Sequence, residues 1–147
     1  MDNYVLRPAL ESESRQIKDL IHLVGINPMG LDWKRFIVAV NAREEVIGTG
    51  QIKPHGKEIL ELASIAVRPE YQGQGIARAI IEYLLEGSPR PLYLTCISTT
   101  GPLYQKFGFV SLSYDEMPRY FQRLSKLANV MMAFAREGEH LLVMKLQ

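Results

Sequence analysis

Residues 64–81 read SIAVRPEYQGQGIARAII. The apolar segment Glu58 to Val67, EILELASIAV, alternates like a strand and stops at Arg68 and Pro69. Two glycines one residue apart, Gly73 and Gly75, come next. Then Ile76, Ala77, Ile80, Ile81 and Leu84 fall on one helical stripe that ends at Gly87, Ser88 and Pro89. The order is strand, small-residue loop, helix. Such a loop exposes unpaired backbone N–H groups at the positive end of a helix dipole, which makes a seat for an anion. A dinucleotide fingerprint does not fit, because Arg78 stands where the third glycine belongs and no acidic ribose partner is placed after it. Nor does a P-loop, since neither glycine begins a Gly-Lys-Ser/Thr run. A tight turn that needs glycine only for backbone geometry is the competing reading, and the loop alone does not decide.

Upstream, Tyr4 to Ala9 reads as a strand, and Ile17, Leu20, Ile21 and Val24 mark one face of a helix closed by Gly25. Ile26 to Trp33 is a loop or short irregular helix. RFIVAVN and EEVIGTGQIK are two strands joined by a turn at Asn41 to Glu44, and a second turn around Pro54, His55 and Gly56 leads into the Glu58 strand. Downstream, PLYLTCIS is a strand, GPLYQKF a short helix and GFVSLSY a strand. Met117, Tyr120, Phe121, Leu124, Leu127, Ala128 and Met131 form the apolar stripe of a further helix, and HLLVMKL is a last strand. The expected fold is α+β, a mixed and mostly antiparallel sheet of about seven strands flanked by about four helices.

The chain has 147 residues, 47% hydrophobic and 22% charged, enough for one globular domain spanning residues 1–147. Seventeen basic and 16 acidic residues leave a net charge of +1 with no basic block, so nothing favours nucleic acid or a membrane surface, and any anion site is local. The single cysteine, Cys96, lies in the apolar run LYLTCI and reads as a small buried hydrophobe. Neither a signal-peptide pattern nor a run long enough to span a membrane is present, so a cytoplasmic, unprocessed protein is expected.

SIAVRPEYQGQGIARAII resembles the cofactor-binding segment of the GNAT superfamily of acyl-CoA-dependent N-acetyltransferases. Its Gln/Arg-x-x-Gly-x-Gly/Ala pattern is met by Gln72, Gly75 and Ala77. GPLYQKFGF, Gly101 to Phe109, is similar to the Leu-Tyr-x-Lys-x-Gly-Phe element that follows about 30 residues later in that family. Two motifs in the right order are far more specific than either alone. The resemblance implies a three-layer α/β/α fold and acetyl-CoA as co-substrate. Its diphosphate would lie on Gln72, Gly73, Gln74, Gly75, Ile76, Ala77 and Arg78, where glycine lets the phosphate approach. Arg78 would otherwise be a solvated arginine poorly placed in a helix's first turn.

The resemblance also places the chemistry. Backbone N–H groups near Ile65, Ala66 and Val67 are implied to hold the pantetheine arm and the thioester carbonyl. Tyr104 matches the tyrosine that protonates the departing sulfur, the alternative being a core tyrosine on a short helix. Glu61, fourteen residues before Gly75, stands where some members carry the glutamate that deprotonates the amine; the alternative is a surface glutamate pairing across a hairpin with Lys53 or Lys57. Asp115, Glu116, His22, His55 and His140 are weaker candidates, and no metal cluster is expected. One departure stands out: Ile97 occupies the place of an asparagine seven residues before the motif tyrosine.

The implied activity is acetyl transfer from acetyl-CoA to a primary amine by direct attack, with a small molecule or amino acid as acceptor. Two alternatives stay open, a non-catalytic CoA-binding sensor or interaction module and a protein-lysine acetyltransferase. Acceptor-shaping roles are expected for Ile26 to Trp33 and for the helix from Met117 to Phe134. A homodimer is left open.

Overall fold

The computed structural model describes residues 3–135 and 138–147. In chain order these form β1 (Tyr4–Pro8), α1 (Ser14–Val24), β2 (Phe36–Asn41), β3 (Val46–His55), β4 (Ile59–Val67), α2 (Ile76–Gly87), β5 (Leu92–Ile97), α3 (Gly101–Gln105), β6 (Val110–Ser111), α4 (Arg119–Ala135) and β7 (Leu141–Leu146), with short 3-10 turns between several of them. The strands make one seven-stranded sheet in the order β1-β2-β3-β4-β5-β7-β6. β1/β2, β2/β3, β5/β7 and β6/β7 are antiparallel, while β4 and β5 run parallel with Glu61 opposite Tyr93. A parallel neighbour needs a crossover, and α2 supplies it. The α+β class and the mixed sheet are those expected from the sequence.

Contacts divide the chain into two compact units, Met1–Lys53 with Leu62–Pro89, and Pro54–Glu61 with Arg90–Gln147. In the first unit, Ile17, Leu20 and Ile21 of α1 pack with Phe36, Val38 and Val40 of β2, Val46 of β3 and Ala66 of β4. Gly25 closes α1 at φ 75°, its N–H reaching the carbonyls of Ile21 and His22. α2 lies close over β3 because Gly48 and Gly50 lack side chains. A Cβ on Gly50 would stand 2.6 Å from Ile80 and 2.9 Å from Leu84, and one on Gly48 2.9 Å from Ile80. Those glycines fix the height of the helix whose N-terminus follows the Gly73–Gly75 loop.

Arg7 and Glu13 tie β1 to the turn before α1. Arg7 donates to both carboxylate oxygens, at 2.9 and 2.6 Å, and Glu13 Oε1 also accepts the Leu10 N–H at 2.8 Å. The Arg7 hydrogen bond, against the opposing cost of burial, holds the Glu13 carboxyl below the ordinary carboxylate range. A depressed carboxyl stabilises the fold above the unfolded-state titration range and loses that contribution as pH falls through the folded one. Glu13→Gln is therefore expected to cost about 1–3 kcal/mol near neutral pH. In urea titrations the gap from wild type should narrow at acidic pH; a gap independent of pH would contradict the assignment.

In the second unit Tyr93, Phe121 and Val143 form a buried centre with Ile59, Leu112, Met117 and Leu124 around it. Three sequence expectations change. β3 runs on through Pro54 to His55, with the turn at Gly56; β3 outlasts β2, whose first pair is Phe36 with Gln51, so the N–H that proline lacks has no β2 partner to lose. GFVSLSY keeps only Val110–Ser111 as strand, since Glu116 accepts from both the N–H and the hydroxyl of Ser113 and turns the backbone into a 3-10 segment. The α4 stripe splits: Phe121 and Ser125 face inward, whereas Leu127 and Met131, roughly a third of a turn away, are more than 60% exposed.

Candidate active site

In the first unit, the strand end and loop are built by local hydrogen bonds. The Gln72 side chain donates to the Val67 carbonyl at 3.0 Å, and its backbone N–H donates to Pro69 at 3.3 Å, closing the turn after β4. Gly73 and Gly75 sit at φ 82° and 85°, the left-handed region, and nothing lies within 4 Å of where a Cβ would stand on either. The Ala79 N–H bonds the Gly75 carbonyl at 3.0 Å and opens α2, while the amides of Gly73 to Arg78 find no acceptor among the described residues. Open space faces a row of unpaired donors. Arg78 is exposed beside it.

Ile65, Ala66 and Val67 follow an irregularity that the sequence did not announce. Ser64 is a non-glycine residue at φ 59° inside β4. Thr49 donates to its carbonyl at 2.9 Å and Gln51 to its hydroxyl at 2.8 Å. The available signal was on β3, where Thr49, Gln51 and Lys53 alternate as polar residues, all buried, in an otherwise apolar or glycine run. The same face ties down the segment after α1. Gln51 and Arg35 both donate to the Gly30 carbonyl, at 3.2 and 3.1 Å, and the Lys53 ammonium donates to the Met29 carbonyl at 2.8 Å. Residues 26–32 form no regular element and are followed by a 3-10 turn at Trp33–Arg35.

In the second unit, Glu61 is 7% exposed, so it is not a surface glutamate, and its partner is neither Lys53 nor Lys57 but His55, Nε2 to Oε1, at 2.6 Å. Thr95 approaches the other oxygen at 3.5 Å. Tyr120 stacks on the His55 ring with centroids 4.0 Å apart, and Phe121 meets it edge-on at 6.0 Å. Burial, and then the charge of Glu61, raise the Tyr120 phenol above its ordinary value.

Tyr104 lies on α3 with its ring half-buried and edge-on to Phe109 at 6.2 Å. Burial of the hydroxyl, followed by the nearby Cys96, pushes its pKa up to about 12. The hydroxyl bonds to no described residue. Cys96 is half-buried rather than buried, its Sγ 4.0 Å from Met144 Sδ, and burial pushes the thiol up, away from thiolate character. Of the weaker candidates, Glu116 is used in the Ser113 cap and His55 alone joins Glu61. Among the described residues no group of His, Cys, Asp and Glu side chains is placed to hold a metal, and no helix is long and apolar enough to cross a membrane.

An open loop of unpaired amides thus precedes the crossover helix α2 of this mixed sheet. Residues 32–111 match the model of the acetyltransferase (GNAT) domain, and the chain belongs to that family. No curated protein matches the sequence. Among solved structures, N-acetylglutamate synthase from Neisseria gonorrhoeae, complexed with coenzyme A and N-acetyl-glutamate, superposes at TM-score 0.72 and 17% identity over 100% of this chain and 36% of its own. This chain thus spans about a third of that protein's length. Rv2747 from Mycobacterium tuberculosis, in complex with CoA, superposes at 0.70 and 22% identity, covering 97% of this chain and 99% of its own. Escherichia coli ElaA gives 0.69 at 15% identity over 100% of both chains. At these identities the likeness is one of fold.

Proposed function

We propose that the chain, as a single domain over residues 1–147, transfers the acetyl group of acetyl-CoA to the primary amine of a small molecule or amino acid by direct attack. The observation that carries the reading is the row of unpaired amides from Gly73 to Arg78 with empty space before it, in a chain of this family. These amides and the α2 dipole take the diphosphate, with Gln72 holding the turn and Arg78 adding charge. Backbone groups of Ile65, Ala66 and Val67, set by the Ser64 irregularity, take the pantetheine arm and the thioester carbonyl. Tyr104 protonates the departing thiolate, and Glu61 belongs to the side of the reaction that accepts the amine's proton. An amino-acid acceptor is supported by the fold neighbour whose structure holds N-acetyl-glutamate.

Ile26 to Trp33 shapes the acceptor side in this reading, and Lys53 holds the segment through Met29. Lys53→Met should raise the acceptor KM severalfold while acetyl-CoA affinity by calorimetry stays within about twofold. Equal losses in both would deny the segment a role in specificity. The proposal as a whole is tested by following free thiol from acetyl-CoA against a panel of amines and amino acids. Amine-dependent release is the expected result; tight acetyl-CoA binding without release would favour a sensor and overturn catalysis.

A further inference from the structure

We infer that His55, and not Glu61, is the base that takes the proton from the acceptor amine, with Glu61 as the positioning carboxylate behind it. The inference rests on the acetyl-transfer reading above. An ionised carboxylate can only accept, so the 2.6 Å contact requires the proton on His55 Nε2, and a neutral ring then keeps its lone pair on Nδ1. Nδ1 bonds to no described residue. Glu61 is committed on both sides, Oε1 to His55 and Oε2 toward Thr95, and is buried. The Tyr120 stack and the Phe121 edge fix the plane of the ring, so the nitrogen opposite Glu61 points in a set direction. Imidazole is the side chain most often used for general-base proton transfer.

The proton balance is complete. An alkylammonium carries three N–H protons and the amide product keeps one. One proton passes to His55 Nδ1 and on to solvent. Nitrogen forms its bond to the thioester carbon, the C–S bond breaks, and the sulfur leaves as thiolate, taking a proton from Tyr104 that the second proton shed by nitrogen replaces through solvent. Among the described residues, the titratable groups in contact with the ring are Glu61 from β4 and Tyr120 from α4. Lys145 of β7 lies over the Tyr93 ring at 5.7 Å, and that ring stacks on Phe121.

The test is the pH dependence of single-turnover acetyl transfer for wild type, His55→Gln and Glu61→Gln, with acetyl-CoA affinity measured on each to show an intact fold. Wild type should show a limb rising with pH. His55→Gln should lose about 10²–10⁴ in rate together with that limb. Glu61→Gln should lose less and keep the limb, because the base itself is still present. In parallel, nitrogen NMR of the His55 ring should show the proton on Nε2 in wild type and a changed tautomer balance in Glu61→Gln, whatever the activity. A limb lost in Glu61→Gln but kept in His55→Gln would make Glu61 the base. Active enzyme with His55→Gln unchanged would overturn the inference and leave acetyl transfer standing, whereas a wild type that transfers to no amine would overturn both.

Discussion

Tyr104→Phe should slow single-turnover acetyl transfer by about 10²–10⁴-fold while leaving acetyl-CoA affinity nearly unchanged. The phenol makes no hydrogen bond to the described residues, so its removal unsettles no network, and the Phe109 contact survives in phenylalanine. Its value stands at about 12, well above the ~8.5 of an ordinary thiol. Complete transfer to the thiolate is therefore uphill, and the benefit comes while charge grows on sulfur, with the hydroxyl donating throughout that stage. That is an interaction stronger in the transition state than in the ground state, so it appears in the rate and not in the binding. The high value also fixes the pH dependence. Tyr104 stays protonated throughout the neutral range, so the ratio of wild-type to variant rates should be flat from pH 6 to 9 on roughly that scale. A few-fold effect would reduce Tyr104 to packing, and a ratio that falls across that range would point to a different acid. Single turnover at saturating cofactor is required, since slow product release would hide the step.

Gly75→Val should abolish measurable acetyl-CoA binding. Two losses combine. The backbone at φ 85° is left-handed, which costs an L-residue roughly 1–2 kcal/mol, and the new side chain enters the empty space before the amides. Hydrogen bonds to a charged group contribute about 1.5–3 kcal/mol each, so losing two removes about 3–6 kcal/mol, or roughly 10²–10⁴ in affinity. Gly75→Asn separates the causes, because asparagine tolerates the left-handed region. It should keep the fold's stability by urea titration and still bind weakly by calorimetry. Asn-variant affinity equal to wild type would mean that glycine serves the turn alone and that the diphosphate lies elsewhere.

The sequence made the framework legible wherever one periodicity ran long enough. α1, α2, β2 and β4 follow apolar patterns with clear stops, and Gly25 and Pro69 mark real ends. The place of the loop is legible from the strand and helix periodicities that flank it, and the structure puts both glycines in the left-handed region, as a tight turn there requires. What escaped depends on contacts distant in sequence or on polar groups that look ordinary in isolation. Ser64 takes its left-handed conformation where Thr49 and Gln51 bond it from another strand. His55 reads as a turn residue, and nothing local says that it pairs with Glu61 or stacks on Tyr120. The α4 stripe is ambiguous in sequence because an apolar face can be core or surface: Phe121 is buried against Tyr93, while the equally apolar Leu127 is exposed. The short strand β6 failed for the opposite reason, a local Ser113–Glu116 cap outweighing β-propensity.

The most direct measurement is mass spectrometry of an amine panel incubated with the protein and isotopically labelled acetyl-CoA, with free thiol counted in the same samples. The account predicts that the label appears on the nitrogen of at least one small-molecule amine or amino acid, one acetyl for each thiol released, and that Tyr104→Phe slows both signals together. Thiol released without labelled amine, or labelled acetyl-CoA bound and returned intact across the panel, would contradict it.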